Sequence, residues 1–258
     1  MPDRPYVLLS AAMSADGYLD DAAGRRLVLS DEADLDRVDQ LRAASDAIMV
    51  GAQTIRSDNP GLRIRSAQRR ASRQRHGRPG SPLRVTVTRT GDLDPAARFF
   101  AVGPDEAADP GPLVYLPAAT AAPAAAALGP VATLVPVPAD PVDLAAVLAD
   151  LAARGVGRLM VEGGARTLAQ LLGRGLADEF LLAVAPVFVG DPAAPRLLAS
   201  LPGDTGPGPG SIGRMSLAAV AQAGDMAVLR FLPRAQADTE SGPGGEPGRA
   251  DRAGWNHD

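Results

Sequence analysis

The residues with the clearest chemical content lie in GVGRLMVEGGARTLAQLL, residues 155–172. An apolar run, Leu159-Met160-Val161, leads into Glu162, the pair Gly163-Gly164, and a segment in which Leu168, Leu171 and Leu172 share one helical face. The pattern predicts a strand, a glycine turn and a helix. Such a turn presents backbone N–H groups at a helix start, where an anion such as a pyrophosphate can bind. Glycine lets that backbone come close to a ligand. Glu162 falls at the carboxyl end of the strand, the edge at which open α/β sheets hold their ligands. A GG pair alone also fits an ordinary strand-to-helix turn.

Two further polar segments follow apolar runs. AMSADG, residues 12–17, places Ser14 and Asp16 after a buried strand, and also fits a turn closed by an Asx motif. LRAASDAIMVGAQTIRSDNPGLRIR, residues 41–65, brings a helix Arg, a strand end, Thr54 on a short helix, then Asp58, Asn59 and Arg65. A capped helix followed by a solvated loop is the plain reading of that stretch. Three polar, glycine-containing strand ends in one α/β domain predict a shared pocket.

Composition removes many chemistries. All 26 Lys-plus-Arg residues are Arg, so Schiff-base catalysis and a P-loop lysine are excluded. There is no Cys, which excludes thiol nucleophiles, disulfides and Cys-ligated zinc. The H-x-E and P-C-x-x-C elements of a zinc nucleobase deaminase are missing. The two His residues, His76 and His257, are poorly placed for a Ser-His-Asp triad. An enzyme of this composition needs a cofactor or a bound metal for its hard chemistry, though no residue is singled out as a metal ligand. The net charge of −4 gives no general pull towards nucleic acid or membrane. No apolar run is long enough to span a bilayer and the N-terminus lacks a signal-peptide layout, so a cytoplasmic protein is expected.

The elements that must position these residues alternate. Strands are predicted at Tyr6–Met13, Ala47–Val50, Leu83–Thr88, Leu113–Leu116, Val131–Val137, Leu159–Val161 and Glu179–Val189. Met215–Ala221 and Met226–Leu232 read as a closing antiparallel pair around Ala223-Gly224-Asp225. Helices are predicted after a Ser30 N-cap with Leu35, Val38 and Leu41 facing inward, after Gly51, over Asp143–Arg154 and over 165–173. An Ala-rich, Pro-broken link joins the fourth and fifth strands. The Arg-rich, acid-free stretch from Arg63 to Arg84 reads first as a solvated insertion and second as an electrostatic collector of phosphorylated substrate. Residues 190–210 read as a Gly/Pro loop. A domain over residues 1–232 and a disordered tail over 233–258 are expected.

With these motifs in order at residues 12–17, 41–65 and 161–168, the chain resembles the reductase domain of riboflavin biosynthesis, which in many bacteria is fused behind a zinc deaminase. The resemblance runs from about residue 5 to 232. It implies an α/β, dihydrofolate-reductase-like three-layer αβα fold with a mostly parallel central sheet and a C-terminal antiparallel hairpin. It implies NADPH as cofactor and a homodimer. It places Ala12 beside the nicotinamide, Thr54 and Asp58 near NADPH, and Gly163, Gly164, Ala165, Arg166, Thr167 and Leu168 around the pyrophosphate. By analogy with the fold, Thr88 and Arg89 grip the adenosine 2′-phosphate. Arg42, Leu62, Arg65 and Glu162 are implied to contact a phosphoribosyl substrate, with Glu162 accepting hydrogen bonds from ribose hydroxyls. Arginine suits the phosphate because its planar fork matches that group.

The implied reaction is hydride transfer from NADPH to C1′ of a ribosylamino-pyrimidine 5′-phosphate, opening the ribose to ribityl. Both the deaminated and the amino-bearing pyrimidine fit. With no His available, Asp58, Glu162 or water must supply any proton. The chain departs from the family pattern in two places. Leu27-Val28-Leu29-Ser30 stands where members often carry Trp-x-Thr-Ser, and Arg25 replaces a frequent Ser. Those departures motivate one alternative, a reductase of another pterin or pyrimidine in a specialised pathway; a second, a non-catalytic nucleotide-binding protein on the same fold, has the intact Asp58, Glu162 and glycine turn against it.

Overall fold

The computed structural model describes residues 3–21, 27–103, 111–197 and 215–234. Arg25 and the tail from residue 235 onward lie outside them, as does the Gly/Pro stretch 198–214. The strands are β1 (Tyr6–Ser14), β2 (Ala47–Gly51), β3 (Leu83–Val87), β4 (Leu113–Pro117), β5 (Thr133–Val137), β6 (Arg158–Gly163), β7 (Glu179–Ala185), β8 (Met215–Ala223) and β9 (Met226–Pro233). They form one sheet ordered β5-β4-β3-β2-β6-β1-β7-β9-β8. The pairs from β5 to β7 are parallel, and β9 pairs antiparallel with both β7 and β8. The implied mostly parallel sheet with a C-terminal hairpin is therefore present.

Every residue of β2 and of β4 is buried. That is why their runs read as continuously apolar rather than alternating: parallel strands are covered on both faces. On one face, Leu144, Val147, Leu148 and Leu151 of α5 (Leu144–Ala153) pack with Leu168, Leu171 and Leu172 of α6 (Ala165–Gly173) against Val7, Leu9, Met49 and Val161. On the other, α1 (Glu32–Ala44), α2 (Ala52–Asp58) and α4 (Ala118–Leu128) lay Leu41, Ile55 and Leu128 on Leu8, Ile48, Val50 and Met160. Three layers result. The chain places β2 and then returns much later to insert β6 between β2 and β1. That crossover brings the carboxyl ends of three sequence-distant strands side by side.

Four sequence expectations are corrected. The N-cap of α1 is Asp31, not Ser30; its carboxylate accepts Asp34 N–H at 2.8 Å and also Asp225 N–H at 2.8 Å in the β8–β9 turn. A carboxylate offers two oxygens, one for each of the two amides. Any Cβ at Gly224 (φ +57°) would collide with that carboxylate. The Ala-rich link is α4 itself, with Pro123 inside it; alanine's helix propensity and the burial of Ala124 and Leu128 outweigh the proline. The strand at Glu179 ends at Ala185, ahead of Pro186.

The Arg-rich stretch is not a solvated insertion. It holds α3 (Ala67–Arg75), capped by Ser66 and packed on α1. Arg73 is buried and donates to the carbonyls of Pro79, Ala43 and Ser45. Arg78 binds Ser45 O and Asp46, and Arg84 binds Phe99 O and Ala101 O. These guanidinium groups satisfy backbone carbonyls that would otherwise be buried without donors.

Candidate active site

The sequence-predicted residues converge at the carboxyl ends of β2, β6 and β1. Glu162 is the penultimate residue of β6. Arg42, in the last turn of α1, meets it with a two-pronged ion pair: Nε to Oε1 at 2.6 Å and Nη2 to Oε2 at 2.5 Å. Both side chains are largely buried, at 17% and 10% exposure. Burial by itself would pull the Arg42 pKa down, but the charge and hydrogen bonds of Glu162 overcome it and the pKa is raised. Arg42 Nη1 also donates to Arg63 O at 3.0 Å. Glu162 thus has a protein partner, where the sequence pointed to ribose hydroxyls. Two N–H groups of Arg42 and part of the lone-pair capacity of Glu162 remain for a ligand.

Glycine turns bring the second half of the site together. Gly51 starts α2 and Gly164 starts α6, neither helix has a side-chain N-cap, and neither carries an acid in its first turn. By contrast α1, α3 and α5 are capped by Asp31, Ser66 and Asp143. The first-turn amides of α6 therefore point outward with no side chain to accept them. Gly164 has φ +87°, and a Cβ there would stand 3.2 Å from both Cα and N of Gly51. A Cβ at Gly51 would stand 3.0 Å from Thr167 Oγ1, and one at Gly163 would stand 3.5 Å from Thr54 Oγ1. The two glycine turns interlock, and Thr54 and Thr167 sit over them.

Other predicted residues take distinct places. Ala12 lies in β1 beyond the rung Leu9↔Val161, towards the same end as Gly163-Gly164, and it packs beside Ala183. Asp58 is half-buried and closes α2; Asn59 follows in a left-handed conformation (φ 44°) and accepts Arg98 N–H at 2.7 Å. Leu62 is buried at φ 52°, a strained conformation for leucine. Arg65 is exposed. Ala165 and Arg166 begin α6, Arg166 at the surface.

Three of the residues make contacts within the protein. The N–H of Leu168 binds Gly164 O at 3.0 Å and its side chain is 1% exposed in the core. Thr88 is buried, its hydroxyl accepting Gly91 N–H at 3.1 Å, so it shapes the turn after β3. Arg89, three-quarters exposed, pairs with Asp140 at 3.0 Å. Asp16 accepts Ser14 Oγ at 2.6 Å and the N–H groups of Val189 and Gly190, which holds its pKa down at about 2. The AMSADG motif is thus an anchor for the loop after β7. Sequence reasoning left Gly51 out of the site residues, although a glycine between an apolar strand and a helix carries the same signal as Gly164. Among the described residues no cluster of His, Asp or Glu could hold a metal, and no helix is long and apolar enough to cross a membrane.

A mostly parallel α/β sheet with an uncapped, glycine-started helix beside a buried carboxylate–guanidinium pair is the kind of strand end at which α/β proteins can hold an anionic ligand. The chain belongs to the RibD C-terminal domain family, whose profile matches residues 5–224. It is 38% identical over 194 residues to a 2,5-diamino-6-ribosylamino-4(3H)-pyrimidinone 5′-phosphate reductase of Archaeoglobus fulgidus, covering 75% of this chain and 86% of that one. A protein of the same description from Methanothermobacter thermautotrophicus is 38% identical over 189 residues, covering 72% and 80%. Among solved structures, a pyrimidine reductase-like protein from Corynebacterium diphtheriae superimposes with TM-score 0.72 at 24% identity, over 88% of this chain and 91% of that one. The fold is the dihydrofolate-reductase-like one that the sequence motifs implied.

Proposed function

We propose that this protein is an NADPH-dependent reductase that converts the ribosyl group of a ribosylamino-pyrimidine 5′-phosphate to ribityl, a step of riboflavin biosynthesis. The carrying observation is the Arg42–Glu162 pair beside the uncapped start of α6, in a chain 38% identical to two reductases named for the diamino substrate. Those relatives favour the amino-bearing pyrimidine over the deaminated one.

The first-turn amides of α6 suit a dinucleotide pyrophosphate, and the missing Cβ atoms of Gly51 and Gly164 let the two turns that carry α2 and α6 close on each other. Ala12, Thr54 and Asp58 complete the cofactor side. When bound, the cofactor supplies the hydride that reduces C1′ of the ring-opened substrate. Glu162, fixed by Arg42, orients the ribityl hydroxyls, and Leu62 and Arg65 border the phosphate. Protonation of Glu162 would break its paired bonds to Arg42, which leaves Asp58 or water as proton donor. The chain contributes mainly by positioning and by fixed charge.

Loss of NADPH absorbance with a panel of pyrimidine ribotides tests this reading. Turnover of the diamino ribosyl 5′-phosphate supports it, and turnover of none refutes it. NADPH should bind more tightly than NADH, with Arg89 exchanging Asp140 for the 2′-phosphate. Equal dissociation constants by calorimetry would remove that part.

A further inference from the structure

The proposed reduction gives no role to Asp39, whose side chain is 2% exposed one helical turn before Arg42. As a charged residue it would ordinarily face solvent, yet it is buried and fully engaged. Asp39 Oδ1 accepts the backbone N–H of Arg65, and Oδ2 accepts Ser66 N–H at 3.1 Å and Arg69 Nη1 at 2.9 Å. Ser66 then caps α3, accepting Arg69 N–H at 3.3 Å. From the same side of α1, at i+3, Arg42 holds Arg63 O. One helix therefore grips the 63–66 segment at two points. The same two residues are tied to Glu162 and to the cap of α3.

Asp39 touches only the backbone of Arg65, whose side chain remains exposed. A buried carboxylate so close to a phosphate would repel it. Arg69 offsets that charge, and its hydrogen bonds to Asp36 and Asp39 push its pKa well above the usual arginine value. We infer that Asp39 is the positioning residue for phosphate recognition: it fixes the backbone at Arg65 so that the guanidinium meets the substrate 5′-phosphate. A residue ordered beforehand loses less freedom on binding, and affinity gains accordingly. The inference rests on the proposed reductase reading.

The test compares the phosphorylated pyrimidine with its dephosphorylated ribosylamino analogue. In Asp39→Asn, KM for the phosphorylated form should rise about tenfold, the size of a lost charge-assisted bond. Its kcat should stay within about twofold, and KM for the analogue and the NADPH Kd should be unchanged. On an Arg65→Ala background the same substitution should add little. If Asp39→Asn does not fold, Arg69→Gln carries the test, because an uncompensated Asp39 should weaken only the phosphorylated substrate. Equal losses on both substrates, or full additivity with Arg65→Ala, would overturn the inference and make Asp39 purely structural. A wild-type enzyme that turns over neither compound would instead withdraw the reductase reading itself.

Discussion

The two ends of the central sheet use their acidic residues in opposite ways. At the amino ends, Asp46 accepts the N–H groups of Gly157 and Arg158 and pairs with Arg78. Asp178 takes both prongs of Arg4 and Val7 N–H at 2.8 Å. Glu179 is held by Tyr6 and Arg230, and burial lifts the Tyr6 pKa strongly. Those carboxylates tie strand starts together. At the carboxyl ends, α6 opens on a glycine with its amides uncapped, and Glu162 has a single partner side chain. Apart from Asp16, which is spent on anchoring the loop after β7, capacity for hydrogen bonding is consumed at one end and kept partly in reserve at the other. The difference separates the half of the sheet that holds the fold from the half that can hold a ligand.

Substitutions should divide along that line. The largest effect is expected for Glu162→Gln, which keeps shape but loses the charge that Arg42 holds. The ratio kcat/KM should fall about tenfold or more, as for loss of a charged hydrogen bond of roughly 1.5–3 kcal/mol. NADPH affinity should hold within about twofold. Intact substrate kinetics with collapsed NADPH binding would show that the pocket does not divide into substrate and cofactor sides.

Gly164→Ala forces a side chain into φ +87° and against the Gly51 backbone. A stability loss of about 1–2 kcal/mol is expected from the strained conformation, together with weaker NADPH binding, read by thermal melting and calorimetry. Unchanged cofactor affinity in a folded variant would take the cradle away from the cofactor. At the opposite end, Asp178→Asn should reduce stability by about 1 kcal/mol while leaving kcat and both KM values alone. A change in kinetics there would erase the contrast between the two ends.

The smallest effect is local. Asp16 titrates at about 2, below its ordinary 3.8, chiefly because Ser14 donates to its carboxylate. A depressed pKa means that its hold on Val189 and Gly190 is complete above pH 3.8 and is lost as the pH falls towards 2. Amide shifts of those two residues should titrate in that window in the wild type and not in Asp16→Asn. A flat response in the wild type would show that the loop is held by other contacts.

The sequence by itself determined the alternation of strands and helices, because a strand buried on both faces must be apolar throughout, as in Ala47–Gly51, and a core-facing helix must repeat its leucines, as at Leu168, Leu171 and Leu172. It determined the glycine turn at Gly163-Gly164 for the same local reason. It did not show that β6 enters between β1 and β2, since strand order depends on which surfaces meet and not on any single segment. Only that crossover sets Glu162 against Arg42 and Gly164 against Gly51. The tertiary structure also decided the fate of Arg73, Arg78, Arg84 and Asp39. Charge alone assigns such residues to solvent. Backbone groups that the fold would leave without partners draw them inward, because a buried amide or carbonyl left unsatisfied is costly.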